Sequence, residues 1–361
     1  MSGYSFGSEL LRARLRVVVL AAAATAIFLA PMRGWPATEA GDKLRIYVID
    51  VEGGQSTLFV TPTGQSLLID TGWSDHNGRD ANRIVAAAKQ AGISRIDYLL
   101  LTHYHEDHVG GVPQLVARIP VGTFIDHGPN RETTEAATEH GWQEYQKVLA
   151  NGKYGHITPK PGDVLPVTGI HALVVSADGN LIKNSLPGGG EQNAYCAQSE
   201  TRPADKTENA RSLGILITFG KLKILDLGDL TWDKEMQLMC PINRLGHMDI
   251  LIVSHHGWYQ SSSPALVDAI SPVVAVMDNS ETKGGSTPTL ETLRKDPGLK
   301  TLWQLHYSQE GGVQHNTAPE FIANLKGTDP GNYLEVMASG DGSFTVMNSR
   351  THLVKRYRAG K

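Results

Sequence analysis

The amino-acid sequence predicts a mixed fold of the α/β or α+β class, built mainly from short strands with helices between them. Short apolar runs bounded by glycine, proline or polar turns recur along the chain. Segments with helical periodicity separate them, and the strands fall into two groups on either side of an irregular stretch over residues 128–210. At 361 residues and 40% hydrophobic content, the chain can bury one large core or two modest ones.

The predicted elements follow in order from apolar alternation and helical periodicity. A strand near residues 44–50, a hairpin over 56–70 and a helix over 80–91 come first. A strand over 96–102, a helix over 107–119 and a strand over 121–126 follow. The irregular stretch contains a predicted helix over 132–150, a hairpin around 170–177 and a glycine-rich loop over 180–193. Later strands are predicted at 213–219, 222–227, 250–254, 273–277, 301–306, 333–338 and 343–347, and helices from Pro264 and over 289–295.

Residues 1–40 are predicted to be a signal peptide and linker, and residues 41–361 to be the folded domain. Arginines at positions 12, 14 and 16 precede a run of 14 residues, Val17–Ala30, that is apolar apart from one threonine. This run is short for a membrane span and typical of a signal peptide. The protein is therefore expected to be periplasmic or secreted. An uncleaved signal that anchors the chain to a membrane is the alternative.

Charge and cysteine content narrow the range of partners. The net charge is −4, so the sequence has no broad basic field for nonspecific capture of nucleic acid. A small-molecule or phosphoester substrate is expected, with membrane contact only through an uncleaved signal. Export would let Cys196 and Cys240 pair, and two free thiols are the alternative.

A dense group of metal-ligand side chains follows the strand over 96–102. The segment His103-Tyr104-His105-Glu106-Asp107-His108 holds three histidines and an aspartate within six residues. Imidazole and carboxylate groups are the ligands of catalytic zinc sites, which keep one position open for water. Placing four such groups beside an apolar strand costs stability unless something satisfies them, and a metal does so. Any single histidine could instead be a surface residue.

This H-x-H-x-D-H pattern resembles the signature of the metallo-β-lactamase superfamily. The resemblance implies a four-layer αββα sandwich and a hydrolase that uses a water activated by two metal ions. Zn²⁺ is the expected metal, with Mn²⁺ or Fe²⁺ as alternatives. The family pattern further assigns Asp229, in Leu227-Gly228-Asp229, as the ligand that bridges the two metals. An aspartate that only closes a turn or caps a helix is the alternative.

The resemblance implies two ligand sets and several supporting residues. His103, His105 and Asp229 are expected to bind one metal, and Asp107, His108, Asp229 and His256 the other, with Asp107 also orienting the attacking water. His256 is favoured over its neighbour His255, which is expected to contact the substrate or support a ligand. Asp70 is expected to support the ligand loop by hydrogen bonds, and an aspartate that merely opens a turn is the alternative.

The sequence departs from the wider superfamily in its third histidine. No His-x-x-Gly-His segment lies downstream of the first cluster. His127, at the end of a predicted strand, is a candidate for substrate contact or metal binding. His306, also at a strand end, is a weaker candidate, because single polar residues are common at such places.

Several segments resemble the ComEC-type domains of competence proteins for DNA uptake. They are Asp50-Val51-Glu52-Gly53-Gly54-Gln55-Ser56, Asn209-Ala210-Arg211-Ser212 and Ser254-His255-His256-Gly257, together with the Gly228-Asp229 pair. This subgroup favours an exported hydrolase of phosphoesters, mainly phosphodiesters. An amide or lactone hydrolase such as a β-lactamase is the alternative, since a fold does not choose a substrate.

Overall fold

The structure of the protein is a computed structural model that describes residues 42–360. The predicted signal segment lies outside the described residues. Between Asp42 and Gly360, no helix is both long enough and apolar enough to cross a membrane.

Two large sheets form the centre of the described domain. The first has nine strands in the order β17-β16-β15-β1-β2-β3-β4-β5-β6, and the second has eight in the order β14-β13-β12-β11-β10-β9-β7-β8. The strands are β1 Lys43–Val48, β2 Thr57–Val60, β3 Ser66–Ile69, β4 Ile96–Leu100, β5 Val121–Ile125, β6 Gly155–Ile157, β7 His171–Ala177, β8 Asn180–Leu181, β9 Gly214–Phe219, β10 Leu222–Asp226, β11 Ile250–Ile252, β12 Val274–Met277, β13 Thr301–His306, β14 Ile322–Asn324, β15 Leu334–Ser339, β16 Ser343–Asn348 and β17 Val354–Arg358.

Helices cover the outer face of each sheet, which makes the domain a four-layer αββα sandwich. They are α1 Arg79–Gln90, α2 Glu106–Val109, α3 Val112–Val116, α4 Ala136–Asn151, α5 Trp232–Met239, α6 Pro264–Ile270, α7 Thr287–Lys295 and α8 Gly312–His315. One apolar core lies between the sheets, a second under α1, α3 and α4, and a third under α5, α6 and α7. The expected architecture is confirmed, because each sheet buries apolar side chains on both faces.

Strand direction decides where polar side chains gather. Strands β3 to β6 are parallel to one another, and so are β10 to β14. The carboxyl ends of each parallel set therefore lie at one edge of its sheet, where open α/β sheets bind ligands.

The prediction of one continuous helix over residues 107–119 is wrong. The segment is split into α2 and α3 at Gly110 and Gly111. A Cβ atom on Gly111 would lie 2.1 Å from the carbonyl oxygen of Thr71, and one on Gly110 would lie 2.6 Å from the backbone nitrogen of Ser74. Only glycine allows this close approach of the ligand segment to the loop after β3.

The sequence prediction missed the helices α5 and α8 and the strands β6, β8, β14 and β17. Strand β17 is an edge strand whose residues alternate between exposed and half-buried, so it lacks a clear apolar face. The structure also pairs the two cysteines, with Cys196 and Cys240 joined by a disulfide of 2.07 Å. This bond ties the loop after β8 to the end of α5.

Candidate metal centre

The candidate site is built from loops that follow parallel strands of both sheets. Asp70 follows β3, and the segment His103–His108 follows β4. Asp229 follows β10, and His255 and His256 follow β11. The carboxyl ends of the two parallel strand sets thus bring together residues far apart in the sequence.

Asp70 organises the loop that carries the histidine cluster. It is fully buried and its backbone is left-handed, with φ at 58°. Its carboxylate accepts hydrogen bonds from the backbone nitrogen of Thr102 at 2.8 Å and from the Thr102 hydroxyl at 2.7 Å. It also lies 2.7 Å from Nδ1 of His108. A proton on Nδ1 held in this way leaves Nε2 of His108 free to face the site.

His255 and His256 sit in a strained turn. Both have left-handed backbones, with φ at 57° and 53°, which non-glycine residues seldom adopt. The carbonyl of His256 accepts a hydrogen bond from the Gly285 backbone at 2.8 Å. Oδ1 of Asp278 lies 3.2 Å from Nδ1 of His256. The turn directs Nε2 of His256 to the same point as His108, and such strain is typical of functional sites.

Four buried side chains converge there: Asp107, His108, Asp229 and His256. One potential ligand atom from each lies within 4.8 Å of all the others. Nε2 of His256 lies 3.0 Å from Oδ2 of Asp107 and 3.2 Å from Nε2 of His108. Oδ1 of Asp229 lies 3.3 Å from Nε2 of His108. We call these residues the four-residue group.

The electrostatics of this group favour bound positive charge. Burial opposes ionisation of Asp107, yet Lys283 and His108 hold its pKa well below the ordinary value. Burial likewise opposes ionisation of Asp229, but the neighbouring histidines, His108 first, keep its pKa well below normal. Burial disfavours the charged form of His256, whereas Asp229 raises its pKa to about 9. Two ionised carboxylates in a buried site therefore draw positive charge to themselves.

Two further observations indicate that the four-residue group and its neighbour His103 suit a divalent cation. Nε2 of His103 and Oδ1 of Asp229 are buried and have no hydrogen-bond partner among the described residues. Nε2 of His108 and Nε2 of His256 face each other, and one proton at most can lie between them. Buried polar atoms of this kind require a partner, and imidazole and carboxylate ligands suit Zn²⁺ or Mn²⁺.

The other predicted ligand set is less tightly assembled. Nε2 of His103 lies 4.0 Å from Oδ2 of Asp229, close to the four-residue group. His105 points instead to Glu132, with 3.0 Å between Nε2 and Oε2. His255 lies beside the group, with Nε2 3.4 Å from Oδ2 of Asp229.

Two predicted candidates lie apart from the four-residue group. Nε2 of His127 lies 2.8 Å from Oε2 of Glu208, and its ring packs on Tyr104. His306 forms a separate cluster with Asp50 and Glu52. The strand-end positions of both histidines gave no indication of these carboxylate partners.

Two of the segments that resemble ComEC-type domains contact the loops of the site by hydrogen bonds. Ser212 accepts a hydrogen bond from the Asp229 backbone at 3.2 Å, and Asn209 lies 3.4 Å from Nε2 of His255. Gln55 donates its backbone N–H to the Asp107 carbonyl at 3.2 Å and its side-chain amide to Asp226 at 2.7 Å. These segments therefore position the loops that carry the ligand candidates.

Sequence reasoning missed Glu132 and Lys283. Glu132 holds His105, and Lys283 contacts Asp107 directly. Lys283 follows the carboxyl end of β12, the strand next to the one that leads to His256. That position is the signal that could have identified it.

Residues 50–189 match the family described as the metallo-beta-lactamase superfamily. The chain carries a domain of the metallo-β-lactamase superfamily. The matched region contains Asp70 and the complete His103–His108 segment, while Asp229 and His256 lie beyond it. The αββα layers of the described residues agree with this membership.

Curated relatives of this metallo-β-lactamase domain include hydroxyacylglutathione hydrolases and proteins of recombination and competence. A hydroxyacylglutathione hydrolase of Stenotrophomonas maltophilia is 36% identical over 105 residues, which cover 29% of this chain and 37% of the relative. Recombination protein 2 of Haemophilus influenzae is 25% identical over 236 residues, 65% of this chain and 24% of the relative. Competence protein ComA of Neisseria gonorrhoeae is 24% identical over 309 residues, 80% of this chain and 37% of the relative.

The chain spans less than two fifths of the length of each of these three relatives. The predicted resemblance to the superfamily and to competence proteins is confirmed by these similarities.

Proposed function

We propose that this protein is an exported metal-dependent hydrolase that acts on phosphoesters, mainly phosphodiesters, through two divalent cations, with Zn²⁺ as the first choice and Mn²⁺ or Fe²⁺ as alternatives. The observation that carries the proposal is the buried four-residue group, in which two imidazole nitrogens and two ionised carboxylates face one another. His103, with its unpartnered Nε2 beside Asp229, is a donor for a second cation, and His105 would join it by turning from Glu132.

Cations held by these residues would supply a nucleophile at neutral pH and polarise the group being cleaved. The chain's own residues orient the donors. Asp70 holds Nδ1 of His108, so that Nε2 faces the site. Asp278 faces Nδ1 of His256 from the opposite side. Asp70 is buried and is anchored by two hydrogen bonds from Thr102, so Nε2 of His108 is already directed into the site before any ligand binds.

His255 and Asn209 lie beside the four-residue group, in loops connected to strands of the second sheet. His255 is almost fully buried, and burial lowers its pKa to about 4, so its ring is neutral. Nδ1 of His255 lies 3.3 Å from the Ser261 hydroxyl, which donates to the Leu230 carbonyl at 2.8 Å. A neutral, anchored imidazole beside Asp229 is suited to exchange a hydrogen bond with a substrate oxygen.

Export is proposed from the N-terminal sequence, and the disulfide supports it. A bond between Cys196 and Cys240 is typical of proteins that fold outside the reducing cytoplasm. We place the protein in the periplasm or outside the cell. Its expected partner there is a small-molecule or phosphoester substrate.

The phosphoester class is favoured by the similarity to competence protein ComA, which extends over 80% of this chain. The similarity to a hydroxyacylglutathione hydrolase is stronger in identity but covers only 29% of the chain. It favours hydrolysis of an acyl bond as the second candidate. An amide or lactone substrate such as a β-lactam belongs to the same class.

Two chromogenic substrates separate these candidates. Purified protein, stripped of metal and then loaded with Zn²⁺ or Mn²⁺, is assayed with bis-p-nitrophenyl phosphate and with nitrocefin. We expect metal-dependent release of nitrophenol from the phosphodiester and a lower kcat/KM for nitrocefin. The opposite preference would replace the phosphoester proposal by acyl hydrolysis.

The Asp107→Ala variant and a surface variant, Lys147→Ala, serve as the matched pair. Lys147 is exposed on α4 and pairs with Glu144 within the same helix. We expect Asp107→Ala to lose metal-dependent turnover and Lys147→Ala to retain it. Undiminished turnover by Asp107→Ala would contradict the assignment of the site.

A further inference from the structure

Lys283 is a cationic side chain that reaches into the four-residue group. Its ammonium group contacts Oδ2 of Asp107, and it also donates to the Gly53 carbonyl at 2.7 Å. The ammonium lies 5.0 Å from the centre of the Trp73 ring. The side chain is 33% exposed, whereas that of Asp107 is 9% exposed. Lys283 therefore enters from the open side of the site.

A tight turn holds Lys283 in this position. The Ser280 hydroxyl accepts hydrogen bonds from the backbones of Thr282 and Lys283, and the Lys283 carbonyl accepts one from Ser280 at 2.9 Å. The turn continues into Gly284, where a Cβ atom would lie 2.1 Å from the His256 carbonyl oxygen. The loop that carries Lys283 is thus packed directly on the turn that carries His256.

Three nitrogen atoms compete for one oxygen in this arrangement. Oδ2 of Asp107 lies 3.0 Å from Nε2 of His256 and 3.2 Å from Nε2 of His108, and it also contacts Lys283. Lys283 places a positive charge directly against the Asp107 carboxylate. A metal cation that used this oxygen would lie against a second positive charge, and the repulsion is strong in a buried site.

We propose that Lys283 is a built-in competitor for metal at Asp107: its ammonium group neutralises this carboxylate, and a divalent cation binds the four-residue group by displacing it. The inference rests on the proposed function, because it presumes that the group binds metal. It assigns to Lys283 control of metal affinity. Removal of its charge therefore strengthens metal binding.

Metal titration of the full-length protein tests this inference without reference to activity. Protein stripped with a chelator is titrated by calorimetry with Zn²⁺ and, separately, with Mn²⁺. The variants are Lys283→Met, which removes the charge, and Lys283→Arg, which keeps it. Lys295→Met is the control, since Lys295 is 75% exposed on α7 and forms a salt bridge of 3.5 Å with Glu291 on the same helix.

We expect Lys283→Met to bind the cation at least about tenfold more tightly than the wild type, because the repulsion is removed. Lys283→Arg and Lys295→Met should stay close to the wild type. Circular dichroism checks folding, and Lys283→Gln replaces the methionine variant if that variant is poorly folded. Unchanged or weaker binding by the uncharged variant would overturn the inference and leave the proposed function standing. Failure of the wild type to bind either metal would overturn the proposed function itself.

Discussion

Residues 42–360 contain two clusters of histidine and carboxylate side chains, one buried and one with a half-buried glutamate, and they differ in how their polar atoms are satisfied. One is the four-residue group of Asp107, His108, Asp229 and His256. The other consists of Asp50, Glu52 and His306. Both clusters lie at or just after the ends of strands in the two central sheets, and in both the ligand atoms come within 4.8 Å of one another.

The second cluster is completed by the protein itself. Asp50 receives Nε2 of His306 at 2.8 Å, Nη1 of Arg83 at 3.1 Å and the Asn324 amide at 3.3 Å. Arg83 also contacts Asp329. Within residues 42–360, no buried side-chain nitrogen or oxygen of Asp50, Glu52 or His306 lacks a partner. A cluster with its own guanidinium counter-charge does not require a metal ion.

The protein supplies fewer hydrogen-bond partners to the polar atoms of the four-residue group. The group has a buried carboxylate oxygen without a hydrogen-bond partner and two imidazole nitrogens 3.2 Å apart. Its positive neighbour, Lys283, contacts only one of the two carboxylates. The comparison teaches that residue types alone do not identify a metal site. Convergence of several ligand atoms, together with a buried carboxylate oxygen that has no protein partner, separates the four-residue group from a structural network.

The largest expected difference between the clusters is in metal content. Asp229→Asn removes a central carboxylate charge from the four-residue group, and we expect metal affinity to fall by more than about 100-fold, beyond the loss caused by a supporting residue. His306→Gln in the other cluster should retain the metal content of the wild type. Elemental analysis after dialysis measures both. Equal metal loss in the two variants would remove the distinction between the clusters.

A smaller loss of metal affinity is expected from substitution of Asp70, which contacts Nδ1 of His108. Asp70→Asn should weaken metal binding by about 10–100-fold, because it loosens the orientation of the His108 ring without removing a donor. Asp50→Asn is the matched variant, a buried aspartate that also faces a histidine. Calorimetric titration should show affinity close to the wild type for Asp50→Asn. An unaffected Asp70→Asn protein would argue against its supporting role.

The second cluster should matter for stability. His306→Gln removes the imidazole partner of buried Asp50, and we expect the free energy of unfolding to fall by about 1–3 kcal/mol. Urea unfolding of the metal-free protein measures this loss. His315→Gln on α8 is the control, because His315 is partly exposed. An equally large loss in His315→Gln would show that the second cluster makes no particular contribution to the free energy of unfolding.

The second cluster should also give a pH dependence through Glu52. Burial, together with its hydrogen bond to Asp329, raises the pKa of Glu52 from 4.5 to about 7. A carboxyl group with a raised folded-state pKa contributes stability at low pH, and this contribution is lost as pH rises through about 7. The free energy of unfolding of the wild type, relative to that of Glu52→Gln, should therefore decrease as the pH rises from 4.5 to about 7. Urea unfolding at several pH values checks the sign, and a pH-independent difference would contradict it.

The residue patterns were sufficient for the mixed fold class, and the resemblance to the superfamily added the four layers and the roles of Asp229 and His256. Apolar alternation predicted most strands, and the H-x-H-x-D-H pattern marked the ligand segment. Strand β17 escaped prediction because it is an exposed edge strand with many charged residues. The break between α2 and α3 escaped because the close approach of Thr71 to Gly111 involves a loop that is distant in sequence.

The sequence by itself determined which chemical groups this protein has and where along the chain they stand. It also predicted an export signal in residues 1–40, which lie outside the described residues. Only the tertiary structure decided which groups meet. Asp107 and His256 are 149 residues apart, and Asp50 and His306 are 256 residues apart. Whether such a pair needs a metal depends on neighbours such as Arg83 and Lys283. Packing of α1 on the first sheet places Arg83, and packing of the two sheets places Lys283.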